Sequence, residues 1–599
     1  MWITAPLQGT VVAVDVQAGD EVRAGQQLVV IESMKLEHVI ASDGPGLVTS
    51  RSVAVGDTVR PGDRLVCVEV GAAPGAPSPA EPVASSTMLR ADLAEVDARH
   101  ALGQDAARAD AVARRRATGQ RTTRENVDDL CDPGSFVEYG PLVIAAQRRR
   151  RPVDELIRRT PADGLVAGIG HVDGQPVVAM SYDYTVLAGT QGLQNHRKKD
   201  RLFELSERLR LPLVFFTEGG GGRPGDTDGV GASGLDCMAF SLFAGLSGLV
   251  PLVGIVSGRC FAGNAAILGC CDVIIATEGT NIGMGGPAMI EGGGLGVFAP
   301  EEIGPLPVQV ANGVVDIAVA DEAEAVQVAK RYLGYFRGAR SEWASNEQEM
   351  LRSAIPENRL RAYDIRPIID ALADRGSVLE LRRGFGAGMV TALIHVEGRP
   401  LGLIANNPAH LSGAIDADGA DKAARFMQLC DAFDLPVLFL CDTPGIMVGP
   451  TAEETALVRH VSRMFVTGAS LTVPFFTIVL RKGYGLGAQA MAGGSFKAPV
   501  FTVAWPTGEF GGMGLEGAVK LGFRKELEAV EDADERDALF ATMVDRMYEH
   551  GKALSTATYF EIDDVIDPSD SRRWISAALA SVPPPTPRTG KKRPCIDPW

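Results

Sequence analysis

The 599-residue sequence has room for roughly four domains of about 150 residues each, and 46% of its residues are hydrophobic, enough to bury large cores. Its formal net charge of −17 at pH 7 argues against a general nucleic-acid binder. Nine cysteines without a paired framework fit a reducing compartment, and no Cys/His spacing is typical of zinc, so we expect no metal in this chain.

The sequence shows no signal for export or membrane insertion. Met1–Pro6 has neither the basic region nor the apolar core of a signal peptide. No segment reaches about 18 uninterrupted apolar residues, the length that a spanning helix requires. We therefore expect a soluble, cytoplasmic protein without a membrane partner.

Residues 1–70 contain an internal repeat. Residues 18–29 and 55–66 share a Gly-Asp turn, a short strand, a second Gly turn and an apolar strand. Two similar halves with a hairpin between them predict a flattened, quasi-symmetric, all-β barrel. Lys35 lies between the apolar strand 27–31 and the strand that follows, so we expect it at an exposed hairpin tip.

The residues around this lysine carry a resemblance to a known family. With Met34 before Lys35 and Leu36 after it, the segment resembles the biotinyl (biotin carboxyl carrier) domain of biotin-dependent carboxylases. A lipoyl domain has the same fold but usually has Asp before the lysine, and the plain structural alternative is an exposed hairpin lysine. Ser33 stands where the family most often has Ala. The resemblance implies biotin covalently bound at Lys35, Met34 and Leu36 beside it, and a biotin protein ligase as partner.

The next segments differ sharply in composition. Residues 71–87 are rich in Pro and Ala and predict a semi-extended linker that could span up to about 50 Å. Residues 88–118 predict charged helices. The arginine runs Arg114–Arg116 and Arg148–Arg151 are interpreted as solvated faces rather than as a nucleic-acid site.

The remainder of the chain repeats itself on a larger scale. The buried-strand pattern of Leu211–Phe216 recurs in Leu435–Leu440. We use the term repeat offset for the difference in residue number between Leu211 and Leu435. In both regions a strand, a helix and a strand precede a Gly-rich loop that opens another helix. This order predicts α/β layers with a largely parallel sheet, in two duplicated halves of roughly 220 residues each.

Each half contains one Gly-rich turn between a strand and a helix, Gly258–Ala266 and Arg481–Met491. Successive backbone N–H groups at a helix N-terminus carry partial positive charge and can form an oxyanion hole without a charged side chain. The alternative is a tight turn needed only for packing. The repeat offset relates Ala262 and Gly263 to Leu486 and Gly487.

Residues from about 90 to about 580 resemble the carboxyltransferase region of propionyl- and methylcrotonyl-CoA carboxylase beta subunits, beginning with the signature Thr118–Glu125. The resemblance implies two crotonase-like α/β domains, 88–340 on the acyl-CoA side and 341–581 on the carboxybiotin side. It also implies a homo-oligomer, a hexamer built as a trimer of dimers.

The resemblance assigns a role to each turn. Ala262 and Gly263 would polarise the acyl-CoA thioester carbonyl, whereas Leu486 and Gly487, with Gly485 beside them, would hold carboxybiotin. Leu486 departs from the small residue usual there, so its side chain should point away from the turn. Asn264 and Ala265 also depart from the family pattern, which usually has a small and then a bulkier residue.

A basic helix start and a Gly-rich loop are candidates for contacts with the phosphates of CoA. The alternative is an exposed basic helix face. The candidate residues are Arg197, Lys198, Lys199, Arg201 and Arg223.

Together these observations predict a carboxyltransferase subunit with its own biotin carrier. It would transfer the carboxyl group of carboxybiotin to the α-carbon, or a vinylogous carbon, of an acyl-CoA, with a short-chain ester favoured. No ATP-binding module for carboxylating biotin is found, so a separate biotin carboxylase subunit, which alone would use ATP and Mg²⁺, is implied.

Two other functions remain open at this point. A biotin-dependent decarboxylase or transcarboxylase component would run related chemistry, and a non-catalytic scaffold would only display biotin. The tail, residues 582–599, is Pro-rich and basic, and we expect it to be irregular and a candidate contact segment.

Overall fold

The computed structural model describes residues 1–71, 90–229, 234–586 and 588–599. The chain forms two compact units, Met1–Ala94 and Glu95–Trp599. Apart from residue 71, the predicted linker 71–87 lies outside the described residues. Within those ranges no helix is long and apolar enough to cross a membrane, and no group of three or more His, Cys, Asp or Glu side chains could hold a metal ion.

The first unit is the predicted all-β barrel. Its strands form two four-stranded sheets, β1-β8-β6-β3 and β5-β4-β2-β7, whose apolar side chains meet in one buried core. The strands are β1 Trp2–Thr4, β2 Gly9–Val14, β3 Glu21–Val22, β4 Gln27–Ser33, β5 Leu36–Ala41, β6 Gly46–Arg51, β7 Thr58–Val59 and β8 Arg64–Val70.

The two halves of the barrel are related by a pseudo-twofold axis, and each half donates an equivalent hydrogen bond to the other. The Gly56 N–H donates to Val11 O at 2.8 Å, and the equivalent Gly19 N–H donates to Val48 O at 2.8 Å. Both glycines have positive φ, 102° at Gly19 and 96° at Gly56, which a residue with a Cβ rarely adopts. The sequence repeat and the barrel that it predicts are thus confirmed.

The N-terminal half of the second unit is built on a seven-stranded sheet with the order β17-β15-β13-β12-β11-β10-β9. β9, β10 and β11 are antiparallel, and the pairs from β11 to β17 are parallel. The strands, with β14 and β16 as a separate pair, are β9 Val137–Glu138, β10 Leu165–Val172, β11 Gln175–Tyr182, β12 Leu213–Phe216, β13 Leu252–Val256, β14 Arg259–Phe261, β15 Val273–Thr277, β16 Asn281–Gly283 and β17 Ile317–Val319.

The C-terminal half repeats this plan with the order β18-β19-β20-β21-β22-β23-β25, and β24 pairs with β22. The first and last residues of β19 and β20 lie at the repeat offset from those of β10 and β11, so the predicted duplication is confirmed to the residue. The strands are β18 Leu379–Leu381, β19 Met389–Val396, β20 Arg399–Asn406, β21 Val437–Thr443, β22 Phe475–Tyr484, β23 Thr502–Ala504, β24 Glu509–Gly511 and β25 Asp564–Val565.

Helices cover the sheets of both halves. α3 follows a capping box in which the Thr122 hydroxyl accepts the Glu125 N–H and the Glu125 carboxylate accepts the Thr122 N–H. The helices are α1 Ala91–Ala101, α2 Ala109–Ala117, α3 Thr123–Leu130, α4 Val153–Arg159, α5 Leu193–Leu209, α6 Ala239–Gly245, α7 Gly263–Gly269, α8 Pro287–Gly292, α9 Leu306–Ala311, α10 Glu322–Gly334, α11 Arg366–Leu372, α12 Ala417–Ala432, α13 Pro450–Glu453, α14 Leu457–Ala469, α15 Gly485–Ala490, α16 Leu515–Gly522, α17 Arg524–Glu528, α18 Ala533–Gly551, α19 Ala553–Thr558 and α20 Ser571–Ser581.

One apolar cluster contains residues of both halves, and each half also has a buried core of its own. The rings of Tyr335 and His395 stack across them at 4.6 Å. The irregular tail also joins them: the Ile596 N–H donates to Ser247 Oγ at 3.0 Å, and the Arg425 guanidinium donates to Pro598 O at 3.1 Å. The tail is therefore a contact segment within the second unit.

Candidate active site

Lys35 lies in a strained two-residue turn. Ser33 pairs with Leu36, and the residues between them, Met34 and Lys35, have φ of 53° and 67°. A turn with two positive φ values favours Asn-Gly, and a residue with a Cβ costs about 1–2 kcal/mol there. The sequence therefore keeps two long side chains where smaller residues would be more stable, which indicates selection for function.

The surroundings of this turn suit a covalently attached group. Met34 is 94% exposed and Leu36 is 66% exposed, although both are apolar. Within residues 1–71 and the other described ranges, no hydrogen bond or ion pair involves the Lys35 amine. A free and exposed primary amine fits the amide link to biotin that the sequence predicts.

The first Gly-rich turn joins β14 to α7. Ala262 has φ 52° and ψ −122°, and its N–H donates to Gly283 O at 3.0 Å, so this N–H is not available to a ligand. Gly263 opens α7. The carbonyl four residues before it, Arg259 O, already accepts the Gly219 N–H at 2.8 Å. In the described ranges, the free donor of the predicted pair is therefore Gly263, and Ala262 shapes the turn.

The second turn joins β22 to α15. Its positive φ, 56°, falls on Gly485, and α15 begins at this residue, two positions before Gly487, the equivalent of Gly263. The Leu486 side chain is 61% exposed, so it is not packed inside the chain. A Cβ on Gly487 would lie 2.7 Å from the Gly445 Cα, which leaves no room for a larger residue. In the first turn, a Cβ on Gly221 would lie 2.7 Å from the Ala262 Cβ, and the repeat offset relates Gly221 to Gly445.

Three of the five residues predicted to contact the phosphates of CoA have buried side chains. Lys198 and Lys199 are buried with Asn195, Leu202, Phe203 and Ser206, which form the inner stripe of α5. Arg223 is buried as well, with its guanidinium 2.5 Å from Asp163 Oδ1. Arg197 and Arg201 are exposed on the outer face of α5.

The lysine nitrogens have partners inside the chain. Lys198 Nζ donates to Gly140 O at 3.2 Å and to Leu165 O, and burial lowers its pKa to about 8. The stripe spacing was readable in the sequence, since 195, 198, 199, 202, 203 and 206 follow the helical repeat. Because lysines are usually exposed, this spacing was not interpreted as a buried stripe.

Sequence reasoning missed an arginine-lined cleft in the N-terminal half of the second unit. This open cleft of about 630 Å³ lies between α2, α4 and the turn that contains Leu187. The Ala188 carbonyl, next to Leu187, accepts the Gly220 N–H at 3.1 Å, so the cleft adjoins the loop beside the first turn. Its arginines are Arg108, Arg114, Arg151, Arg158 and Arg159.

Two family descriptions match the chain: "Carboxyl transferase domain" over residues 114–585 and "Biotin-requiring enzyme" over residues 2–68. Over 486 residues the chain is 34% identical to the methylmalonyl-CoA carboxyltransferase 12S subunit of Propionibacterium freudenreichii subsp. shermanii, which covers 78% of this chain and 90% of that protein.

Two solved structures are similar as well. A single-chain, multi-domain long-chain acyl-CoA carboxylase matches with a TM-score of 0.79 and 56% identity over 96% of this chain. The chain spans only 56% of the length of that protein. The transcarboxylase 12S crystal structure, described as a hexamer with methylmalonyl-CoA bound, matches with a TM-score of 0.72 and 30% identity, covering 84% of this chain and 96% of that one.

Proposed function

Because this chain belongs to the carboxyl transferase family and carries its own biotinyl domain, we propose that it transfers a carboxyl group from biotin on Lys35 to a long-chain acyl-CoA. One observation carries the proposal. A free, exposed lysine lies in a strained turn of the first unit, and each half of the second unit has a Gly-rich turn between a strand and a helix, with Gly263 and Gly487 related by the repeat offset.

The two turns act on the two reacting partners. Biotin, when bound, carries the carboxyl group and supplies the chemistry of its release. The Gly263 N–H polarises the thioester carbonyl, which makes the α-hydrogens of the acyl group more acidic. The N–H groups of Leu486 and Gly487 stabilise negative charge on the biotin side. Holding both partners in one site lowers the barrier further.

The surroundings of the first turn support the proposed length of the acyl chain. Gly283 accepts the Ala262 N–H, and the segment after it is apolar and open to solvent: Met284 is 71% and Met289 is 65% exposed. Phe240, on the other side of the turn, is 41% exposed. An apolar surface beside the thioester site suits a long acyl chain better than a propionyl group. The 56% identity to a long-chain acyl-CoA carboxylase supports the same choice over the short-chain ester that the sequence favoured.

A panel of acyl-CoAs tests this proposal, with the biotinylated protein, a biotin carboxylase, ATP and labelled bicarbonate. Two buried methylene groups are worth about 1.6 kcal/mol, so kcat/KM should rise at least tenfold from propionyl-CoA to a C16 ester. Met289→Ser should lower the value for the long ester alone, whereas Met350→Ser, at an exposed position of the C-terminal half, should change neither. A preference for propionyl-CoA would contradict the assignment.

For the CoA phosphates we propose the arginine-lined cleft. In the described ranges neither Arg114 nor Arg158 has an ion-pair partner, whereas Arg108 is paired with Asp183 at 2.5 Å. Planar guanidinium groups bind phosphate well. Arg114→Glu and Arg158→Glu should each raise KM for acyl-CoA with little change in kcat, and Arg208→Glu on the exposed end of α5 is the matched control. An equal effect of Arg208→Glu would point to general surface charge.

The turns of the two halves must meet across an assembly. We propose a hexamer in which the N-terminal half of one subunit faces the C-terminal half of another, because the transcarboxylase 12S structure is a hexamer. Exposed apolar residues near the second turn, such as Val448 at 81%, support a covered surface there. Light scattering should give six subunits, and an active monomer would contradict the proposal.

Carboxylation of biotin itself requires a further activity. We propose that a biotin carboxylase subunit supplies it and that a biotin protein ligase modifies Lys35. The single-chain carboxylase, of which this chain spans 56%, supports a functional link between the two activities.

A further inference from the structure

A buried chain of hydrogen bonds leads to the first turn. Lys199 is fully buried, and its Nζ donates to Gln191 Oε1 at 2.5 Å and to the Tyr182 hydroxyl at 3.1 Å. Gln191 Nε2 then donates to Asn264 Oδ1 at 3.0 Å. Asn264 is the second residue of α7 and directly follows Gly263, so the chain ends at the predicted thioester site.

Asn264 ties three segments to the start of α7. Its Oδ1 also accepts the Gly221 N–H at 3.1 Å, and its Nδ2 donates to Gly189 O at 3.3 Å and to Thr217 O at 3.2 Å. The side-chain amide thus uses both its acceptor and its donors. It fixes the Gly-rich loop and the turn before α5 against the helix N-terminus.

Lys199 determines the orientation of the Gln191 amide. The Lys199 amine donates to the Gln191 oxygen, which leaves the Gln191 nitrogen facing Asn264. In its protonated form Lys199 can only donate, so that form admits no other orientation of the amide. That nitrogen lies 3.1 Å from where a Cβ on Gly263 would be, so the amide packs directly against the turn. A reversed amide would break both contacts.

The arrangement is costly for the fold alone. No carboxylate lies within 4.0 Å of Lys199 Nζ in the described ranges, and burial lowers the pKa of Lys199 to about 7. A buried amine without a counter-charge is rare because its desolvation is not offset. An apolar residue at this position of the α5 inner stripe would stabilise the protein more.

The other half shows that the fold does not need these residues. The repeat offset places Ile415 at the position of Gln191, Ala423 at that of Lys199 and Ala488 at that of Asn264. All three are buried, and the backbone there repeats the pairing of the first half, since the Gln191–Gly222 bridge recurs as Ile415–Ile446. This series of buried hydrogen bonds is therefore specific to the half that we assign to acyl-CoA.

We propose that Lys199, Gln191 and Asn264 are positioning residues for the thioester turn. Lys199 orients Gln191, Gln191 orients Asn264, and Asn264 holds the Gly263 N–H in place for the carbonyl oxygen. The inference rests on the proposed function only in taking this turn as the thioester site.

The decisive variant replaces the three residues by those of the other half: Gln191→Ile, Lys199→Ala and Asn264→Ala together. Since that half folds with these residues, the variant should fold and assemble as the wild type does. Its kcat for carboxyl transfer to acyl-CoA should fall about 10- to 100-fold, because a small misplacement of a reacting group has effects of that size. KM for acyl-CoA should stay within about twofold.

A single variant and a control keep the test sharp. Gln191→Glu preserves shape and the contact with Lys199 but removes the donor to Asn264, and it should lower kcat in the same way. Gln194→Glu, in the first turn of α5 and partly exposed, should have no effect. Loss of the carboxyl group from the carrier without acyl-CoA, which uses the second turn, should be unchanged in every variant.

The outcomes separate this inference from the proposed function. If the wild type transfers no carboxyl group to any acyl-CoA, the proposed function fails. If the wild type transfers and folded Gln191→Glu keeps full kcat, the positioning role alone is overturned. Equal losses in both half-reactions, with a lower melting temperature, would assign the chain of hydrogen bonds to stability instead.

Discussion

Replacing Gly263 by proline removes one backbone donor at the first residue of α7. Proline is well tolerated at this position, since its missing N–H has no partner within the helix. Here the usual acceptor, Arg259 O, is already bonded to Gly219 at 2.8 Å, so the change costs no helical hydrogen bond. What is lost is the donor that we propose for the thioester oxygen; one such donor is worth about 2.7–4 kcal/mol, or a factor of about 10²–10³ in kcat.

A separate variant controls for the steric effect of placing a side chain at position 263. A Cβ at position 263 would lie 3.1 Å from Gln191 Nε2 and 3.1 Å from Phe240 Cζ, so some adjustment is expected. Gly263→Ala introduces the same Cβ and keeps the N–H. The ratio of the two variants therefore removes the effect of the Cβ and reports the lost donor together with the rest of the proline ring. A second control, Ala533→Pro, places proline at the first residue of the exposed helix α18 and measures what the ring costs there.

The assay compares two half-reactions in the biotinylated protein. Transfer to acyl-CoA should fall about 10²–10³-fold in Gly263→Pro relative to Gly263→Ala, while loss of the carboxyl group without acyl-CoA persists. Circular dichroism and light scattering must first show that both variants are folded and assembled. Full transfer activity in folded Gly263→Pro, or equal loss of both half-reactions, would refute the assignment of this turn.

Three further predictions concern the carrier, the partner and stability. Co-expression with a biotin ligase should add one biotin to the intact mass, and Lys35→Arg should abolish the gain; an unmodified wild-type chain would count against the carrier role. The pure protein should not carboxylate its own biotin from ATP and bicarbonate. It should still exchange a carboxyl group between a malonyl-type CoA and that biotin. ATP-dependent carboxylation by the pure protein would refute this prediction. Both ring nitrogens of buried His395 lack partners in the described ranges, and burial lowers its pKa to about 4, below the ordinary 6.5. As pH falls from 6.5 toward 4, the unfolded chain therefore binds a proton at His395 before the folded protein does, and the folded protein loses stability over this range. His395→Phe should reduce the drop in unfolding temperature between pH 7.5 and pH 5. An unchanged drop would contradict the reasoning.

The parts of the fold that the sequence predicts are those with a short, regular signal. The barrel follows from paired Gly turns, and the duplicated halves follow from strand patterns that recur at one constant separation. The type of turn at Lys35 could not be predicted, because Met34 gives no sign of positive φ. That conformation is imposed by the pairing of Ser33 with Leu36.

The parts that escaped prediction depend on the third dimension. The lysines of α5 were interpreted by charge, although their spacing belongs to the buried stripe. Gln191 and Asn264 are 73 residues apart, and nothing in the sequence places one beside the other. The arginine-lined cleft likewise draws on separate helices, so a run of arginines gave no indication of a concave surface.

The pseudo-twofold of the barrel has a mechanical consequence for the cofactor. β4 ends at Ser33, immediately before the turn with Lys35, and the twofold relates this strand end to the end of β8 at Val70, immediately before the chain departs. The turn that contains Lys35 and the point where the chain leaves the barrel after Val70 are therefore equivalent strand ends in the two halves. Attachment of biotin and connection to the rest of the chain thus use different halves of the barrel, so the barrel separates the modified residue from the connection.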